Sequence, residues 1–332
     1  MAEATLEILG YARWFSLAAC FAIGAWLDNR DRRIPNEHWI AWSKPLVFIW
    51  GLELMIKGAD WTIWASALAA LSFASVSVIG RPTIASILKA EKMDVAVAFC
   101  YLIGVAGVIF GAMKYAPGDA LSLLDGSASE QRVLWFEVML AFAMVIVFEL
   151  AWRLRLLHGG ADAKALMWVA LMLPSWDTLA PIFQPSGVVL STPPVFSLFI
   201  WGGLAFLLLP LILLSLNIKN GNLKSFKDLR MAWHSIRMPL DMVREKHVWL
   251  MDHVIEKPDS SVGVQSRRRV PRPTPSAEEL SKQVDALIEQ GAVSAWVSPK
   301  IPLITMFFPA IIPLFLFGDP IALAFALLGI NV

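Results

Sequence analysis

The sequence predicts an all-α fold: a polytopic bundle of about eight transmembrane helices, with a small cytoplasmic helical insertion before the last span. Two observations on composition support this class. Of the 332 residues, 57% are hydrophobic and only 17% are charged, whereas soluble domains carry roughly 25% charged residues. The mean hydropathy is +0.62. A third observation is that the apolar residues fall into runs of about 20, the length that crosses a bilayer as a helix.

Eight apolar runs define the predicted spans. The first begins after acidic rather than basic residues, so it lacks the start of a cleaved signal peptide and is expected to be retained. The sixth is interrupted by Pro174, Asp177 and Pro181, and the last contains several prolines and is expected to be kinked. The runs lie at 8–27, 39–56, 61–80, 94–113, 133–152, 163–182, 193–217 and 301–328.

Basic residues between the runs predict the orientation, because cytoplasmic loops are enriched in Lys and Arg. The loops 28–38, 81–92 and 153–164 contain most of them, so these loops are predicted to be cytoplasmic and the N-terminus to lie outside. The nine residues on this side are Arg30, Arg32, Arg33, Arg81, Lys89, Lys92, Arg153, Arg155 and Lys164, against Lys57, Lys114 and Arg132 on the other.

Three regions follow from hydropathy: a transmembrane core at 1–217, a polar segment at 218–300 and a C-terminal transmembrane segment at 301–332. The polar segment predicts two or three short amphipathic helices and a Pro/Arg linker near 258–275. Ser276 and Glu279 have the spacing of a capping box that opens one of these helices. The simplest interpretation of 218–300 is a solvated connector.

Charge and cysteine content exclude other classes. The net charge is +1, so no basic field for nucleic acid is present. Cys20 and Cys100 both lie in apolar runs, which argues against a zinc finger or a disulfide framework.

Two aspartates stand out because both lie at helix boundaries on the predicted cytoplasmic side. Asp28 ends the first span and Asp162 precedes the sixth, and four predicted spans separate them. Two carboxyl groups that share a proton ionise at different pH. One can then activate a water as general base while the other, protonated, polarises a scissile carbonyl. This chemistry requires neither a metal nor a nucleophilic serine.

Each of these residues also has a simpler interpretation. The simpler interpretation of Asp28 is the polar end of a span. Asp162 is a good N-cap for a helix starting at Ala163, with Gly159 and Gly160 forming a turn before it.

The combined motifs resemble those of type IV prepilin peptidases, and most closely the archaeal preflagellin (prearchaellin) and prepilin peptidase group of GxGD intramembrane aspartyl proteases. Asp28, five residues and then Ile34-Pro35-Asn36 resemble the first signature of the family. Gly159-Gly160-Ala161-Asp162, followed by Lys164, resembles the second. The segment AWVSPKIPLITMFFPAIIPLFLFGD near 295–319 is similar to the C-terminal end of archaeal members.

The resemblance implies an aspartic endopeptidase of the plasma membrane that cleaves the class III signal peptide of prepilins or prearchaellins at the cytoplasmic face, with no cofactor. Asp28 and Asp162 would be the catalytic pair. Gly159, Gly160, Ala161, Lys164, Ile34, Pro35 and Asn36 would support them, and Asp31 and Glu37 would contact the basic leader. No methyltransferase activity is expected, since the cysteine-rich region of bifunctional members is missing.

The sequence departs from the family in two respects. Four predicted spans, rather than the common two, separate the aspartates, which suggests an extra helix pair within 57–132. The third position of the second motif is Ala161 rather than glycine.

Other classes stay open. Buried ionisable groups in a bilayer are often functional, and Lys44, Glu53, Glu137 and Glu149 lie in or near spans. A transporter or channel, a non-catalytic assembly scaffold, or a presenilin-like protease with other substrates are the alternatives. Against transport, these acids are scattered and no inverted repeat is visible.

Overall fold

A computed structural model describes residues 2–123, 126–157, 159–178, 182–183, 192–256, 262–272 and 275–329. The chain divides into two compact units. We call the first, Met1–Gly203 with Pro302–Val332, the helical unit. The second, Leu204–Ile301, is the mixed unit.

Thirteen α-helices form within the described residues, together with two short 3₁₀ segments at Ala120–Leu123 and Trp176–Thr178. The α-helices are α1 (Ala2–Asp31), α2 (Asn36–Ile56), α3 (Trp61–Ile79), α4 (Ile84–Leu88), α5 (Lys92–Tyr115), α6 (Glu130–Arg153), α7 (Gly160–Met172), α8 (Pro194–Lys219), α9 (Phe226–Ala232), α10 (Leu240–Val243), α11 (Ala277–Glu289), α12 (Leu303–Phe317) and α13 (Pro320–Leu327).

Six described helices are long and apolar enough to cross a membrane: α1, α2, α3, α5, α6 and α8. The pair α12 and α13 would make a seventh if counted as one span, but it is bent by 50°. The polytopic helical class is therefore confirmed, while the structure offers six or seven candidate spans against the predicted eight. The bend occurs at Gly318 and Asp319, where Gly318 has a φ of 68° that ends α12 and Asp319 caps α13.

The predicted sixth span at 163–182 is replaced by a much shorter helix. Helix α7 has 13 residues, about 20 Å, which is less than the roughly 30 Å hydrocarbon thickness. It ends before Pro174, whose ring cannot continue a helix. The end of the predicted run, 179–181, lies outside the described residues.

Although short, α7 is the central helix of its unit. It packs against α1, α2, α3, α6 and α12, and every residue from Ala165 to Met172 is buried. A helix that is apolar all round is the kind that other helices can surround.

Small residues let α5 approach its neighbours closely. A Cβ built on Gly107 would lie 2.3 Å from the Cβ of Ala65 on α3, and one on Gly104 would lie 2.8 Å from Ala69. Gly111 faces the indole of Trp135 on α6 in the same way. Such small-residue contacts are how helices associate where lipid removes the hydrophobic drive between them.

The mixed unit corrects the prediction of a purely helical segment at 218–300. It contains β1 (Ile236–Pro239), β2 (Val248–Leu250), β3 (Asp252–Glu256), β4 (Val262–Ser266) and β5 (Ser294–Pro299). The antiparallel sheet has the order β1-β5-β2, with Val297 of β5 opposite both Ile236 and Leu250. Strands β3 and β4 form a separate hairpin, so part of the predicted linker near 258–275 is a strand; residues 257–261 and 273–274 lie outside the described residues.

Helix α11 covers this sheet with Val284 and Leu287, which belong to the same apolar core as Leu250 and Val297. The predicted capping box is confirmed. The Ser276 hydroxyl accepts from the Glu279 amide at 3.2 Å, and the Ser276 amide donates to the Glu279 carboxylate at 2.8 Å.

Candidate active site

The end of α1 and the beginnings of α2 and α7 meet at one end of the helical unit, which we call the aspartate end. Four candidate spans, α2, α3, α5 and α6, separate α1 from α7 along the chain. An even number of crossings returns the chain to the same end, as the sequence predicted. The three loops rich in arginine and lysine also lie at this end.

Asp28 lies in the last turns of α1 and is 8% exposed. The chain leaves the helix immediately after it: Arg32 has a φ of 54°, and its amide donates to the Asp28 carbonyl at 3.0 Å. This left-handed residue ends the helix and turns the chain toward Pro35, which precedes α2.

Asp162 lies in the first turn of α7, not at its N-cap. The helix begins at Gly160 with Gly159 as the N-cap residue, so the interpretation of Asp162 as an N-cap is wrong. Burial and, to a smaller extent, the negative charge of Asp28 together raise the pKa of Asp162 to about 7. The structure therefore brings the two carboxyl groups within electrostatic reach of each other.

The glycines of the second motif make room for specific neighbours. A Cβ on Gly159 would lie 2.2 Å from Oδ2 of Asp162, and one on Gly160 would lie 3.2 Å from the ring of Trp152. Gly159 thus accommodates the Asp162 carboxyl group itself. Ala161 is half-buried and packs against the main core.

A hydrogen bond joins the two motifs. The ammonium of Lys164 donates to Oδ1 of Asn36 at 2.7 Å, and Nδ2 of Asn36 donates to the carbonyl of Val78 on α3 at 2.9 Å. Asn36 therefore holds the starts of α2 and α7 and the end of α3 together. Ile34 is buried, and Pro35 is the extended N-cap residue of α2.

His38 is a neighbour of this site that the sequence analysis overlooked. It is buried, its Nε2 lies 3.6 Å from the Cys20 sulfur, and a Cβ on Gly24 would lie 3.5 Å from the same nitrogen. Gly24 is one helical turn before Asp28. The available signal was a histidine two residues after the Ile-Pro-Asn motif, at the start of an apolar run.

Asp31 and Glu37 lie outside the carboxylate pair. Both are exposed at the aspartate end, and Asp31 forms a bidentate pair with Arg30 at 2.6–2.7 Å. The structure leaves Glu37 accessible in the first turn of α2.

The ionisable groups that sequence placed inside spans are mostly paired. Glu53 accepts from Arg13, and Lys57 lies 3.0 Å from Glu53 and 3.7 Å from Glu137. Arg13, which the sequence analysis did not single out, is 1% exposed. Glu149 pairs with Arg153, and Lys44 is exposed.

The structure also gives the positions of the two cysteines and of the C-terminal motif. Cys20 is buried and Cys100 half-buried, on α1 and α5 respectively. Within the described ranges, no three His, Cys, Asp or Glu side chains form a group that could hold a metal. The C-terminal motif is divided between strand β5 and helix α12.

No known family model matches the chain, and no curated protein is similar enough to match it.

Proposed function

We propose that the chain is a membrane-embedded aspartyl endopeptidase that cleaves the class III signal peptides of prepilins or prearchaellins at the cytoplasmic face of the plasma membrane. The observation that supports this most is the raised pKa of Asp162, about 7, with Asp28 contributing to it. Two carboxyl groups of unequal acidity are what a water-activating aspartyl mechanism needs.

The unequal acidity assigns the roles. Near neutral pH, Asp162 retains its proton and hydrogen-bonds to the scissile carbonyl oxygen, while ionised Asp28 removes a proton from a water. The water oxygen attacks the carbonyl carbon as the Asp162 proton passes to the carbonyl oxygen. The C–N bond then breaks, Asp28 gives its proton to the leaving amine, and Asp162 recovers a proton from the intermediate hydroxyl.

The surroundings of the pair suit an extended basic substrate segment beside a membrane helix. Asp31 and Glu37 are exposed carboxylates at the same end of the unit, which supports the proposal that they contact basic residues of a leader, Asp31 by exchanging its Arg30 partner. Lys164 and Asn36 fix the relative positions of α7 and α2, so they are positioning residues in this scheme. The partners would be prepilin or prearchaellin precursors and the surrounding lipid.

The test is a co-expression cleavage assay with a prepilin-like precursor, followed by gel mobility. Asp28→Asn and Asp162→Asn should each abolish cleavage at unchanged protein level, because each removes one proton-transfer group. Asp119→Asn is the matched control, because Asp119 is exposed in the loop after α5. This variant should cleave the precursor normally. Cleavage that persists in both Asp28→Asn and Asp162→Asn contradicts the proposal.

A further inference from the structure

One cavity in the helical unit contains a carboxylate that the proposed peptidase chemistry does not use. Its volume is about 340 Å³, within the range of small-ligand sites. We call it the Glu149 cavity. It is lined by Phe73 and Val76 of α3, Arg81 and Pro82 after α3, Tyr101 of α5 and Glu149 of α6. Neither Asp28 nor Asp162 lines it.

Only one of the two carboxylate oxygens of Glu149 has a hydrogen-bond partner in the described part of the chain. The residue is 5% exposed, and its Oε1 accepts two hydrogen bonds from Arg153, at 2.5 and 2.8 Å. Its Oε2 is buried and has no hydrogen-bond partner. A buried carboxylate oxygen without a donor is costly, and Glu149 lines the cavity, so a ligand that brings an N–H donor to Glu149 would relieve this cost.

Arg81 gives the same cavity a positive group. It is exposed at the end of α3 and forms no salt bridge to any carboxylate in the described part of the chain. The Tyr101 hydroxyl donates to the carbonyl of Ser72 at 3.2 Å. It also interacts electrostatically with the charges of Arg81 and Glu149. A ligand with an N–H donor for Glu149 and an anionic group for Arg81 would complement this lining, and its apolar atoms would contact the apolar walls.

The position of the cavity indicates where such a ligand would come from. Its lining residues lie in the last two turns of α3 and α6 and in the first half of α5, close to the basic residues that follow α3 and α6. The outer face of α5 is extensively exposed, with Phe99, Leu102 and Val105 all more than half exposed. A candidate span with so many exposed apolar side chains is expected to face the lipid chains.

We propose that the Glu149 cavity binds the headgroup of an aminophospholipid, with the primary ammonium donating to Oε2 of Glu149 and the phosphate next to Arg81. The chemistry requires N–H donors, which phosphatidylethanolamine has and phosphatidylcholine lacks. Binding at this site is independent of peptide cleavage.

The test is competition between phosphatidylethanolamine and phosphatidylcholine of identical acyl chains for the purified full-length chain, read by native mass spectrometry. A charge-assisted hydrogen bond predicts a preference of roughly tenfold for the ethanolamine lipid. Glu149→Gln should bring the ratio close to one. Glu91→Gln is the matched control, because Glu91 is exposed at the same end of the unit outside the cavity, and it should keep the preference.

Arg81→Gln separates the two contacts. Both lipids have the phosphate, so this variant should weaken both about equally and leave the preference for ethanolamine. Equal binding of the two lipids by the unmodified chain, or a preference that survives Glu149→Gln, overturns the proposal. If Glu149→Gln does not fold, successive N-methylation of the headgroup decides on the unmodified chain: binding must fall as N–H donors are lost, and equal binding throughout overturns the proposal.

A soluble ligand is distinguished by adding free phosphoethanolamine. Retention of the lipid against a moderate excess of the free compound supports a membrane source. Binding of free phosphoethanolamine with no retained lipid overturns the lipid assignment.

Discussion

Lys164 and Asn36 are 128 positions apart in the chain, yet the ammonium of one donates to the side-chain carbonyl of the other at 2.7 Å. This contact joins Lys164, the second residue after the Gly-Gly-Ala-Asp motif, to the last residue of the Ile-Pro-Asn motif. Each motif is weak by itself, and their physical connection supports treating them as parts of one site. It also predicts a measurable coupling.

Lys164→Met and Asn36→Ala should be non-additive in the free energy of unfolding. Removing either partner breaks the same hydrogen bond, so the double variant loses it only once; for this partly exposed contact we expect a coupling of about 1 kcal/mol. A denaturation series in detergent for the four proteins of the cycle measures it. Lys164→Met combined with Asp119→Asn is the control and should be additive. An additive result for Lys164 and Asn36 would mean that the contact has no energetic effect.

The pH dependence of cleavage should follow the protonation of Asp162. Its pKa is raised to about 7 by burial and by Asp28, so the protonated form that polarises the carbonyl is lost above that pH. We expect cleavage to fall about tenfold per pH unit above 7, measured as initial rates between pH 5 and 9. Rates that stay constant up to pH 9 would argue against Asp162 as the protonated partner.

The same pKa affects stability. The folded state binds the Asp162 proton more tightly than the unfolded state, so this contribution is complete below the ordinary carboxyl pKa and is lost as pH rises to about 7. The free energy of unfolding of the natural chain should therefore decline over this interval more steeply than that of Asp162→Asn. Parallel pH dependences for the two proteins would contradict this linkage.

Gly159→Ala should strongly lower the rate of cleavage with little effect on folding. The added Cβ would lie 2.2 Å from Oδ2 of Asp162, and a carboxylate can rotate away more easily than backbone can move. The displaced carboxyl group should then lower the cleavage rate by about 100-fold, since catalysis is sensitive to shifts of about 1 Å. Gly203→Ala is the control: no atom lies within 4 Å of its Cβ. A Gly159→Ala variant with normal activity would show that the Asp162 orientation is not critical.

Gly107→Ala should weaken the contact between α3 and α5. Here the added Cβ would lie 2.6 Å from the Ala65 carbonyl carbon, which is backbone, so one helix must move. We expect a loss of about 1–3 kcal/mol in unfolding free energy. Gly203→Ala should be neutral or stabilising, because alanine favours helix over glycine. Equal stability of both variants would mean that the two helices separate without penalty.

Arg13→Met should destabilise the chain by about 1–3 kcal/mol, because buried Glu53 loses one charged partner and keeps only Lys57. Thermal unfolding in detergent measures this. Lys282→Met breaks a highly exposed pair with Glu278 and should change stability little. Comparable melting of Arg13→Met and the natural chain would contradict the importance of the buried pair.

Six of the eight predicted spans correspond to single helices long enough to cross a membrane, because runs of about 20 apolar residues encode such helices directly. The predicted location of Asp28 and Asp162 at one end followed from counting crossings, which does not depend on side-chain detail. Hydropathy could not show that α7 stops before Pro174, since a buried short helix and a span are equally apolar.

Other features depend on contacts between distant residues. Strands β1, β2 and β5 have three to six residues each, too few for a periodic pattern, and Ser294–Pro299 was instead interpreted as part of a C-terminal motif. A single arginine in an apolar run, such as Arg13, gives no indication of its partner. The role of Gly159 likewise required the rotamer of Asp162.

The pairing of Arg13 also constrains how the chain is made. Arg13 lies in α1, but Glu53 follows 40 residues later and the carbonyl of Met172, which also accepts from Arg13, follows 159 residues later. During synthesis, α1 therefore enters the bilayer with an uncompensated charge, which is neutralised only when α2 arrives. Chains truncated between Arg13 and Glu53 would therefore hold an unpaired cation within the membrane, which is energetically costly.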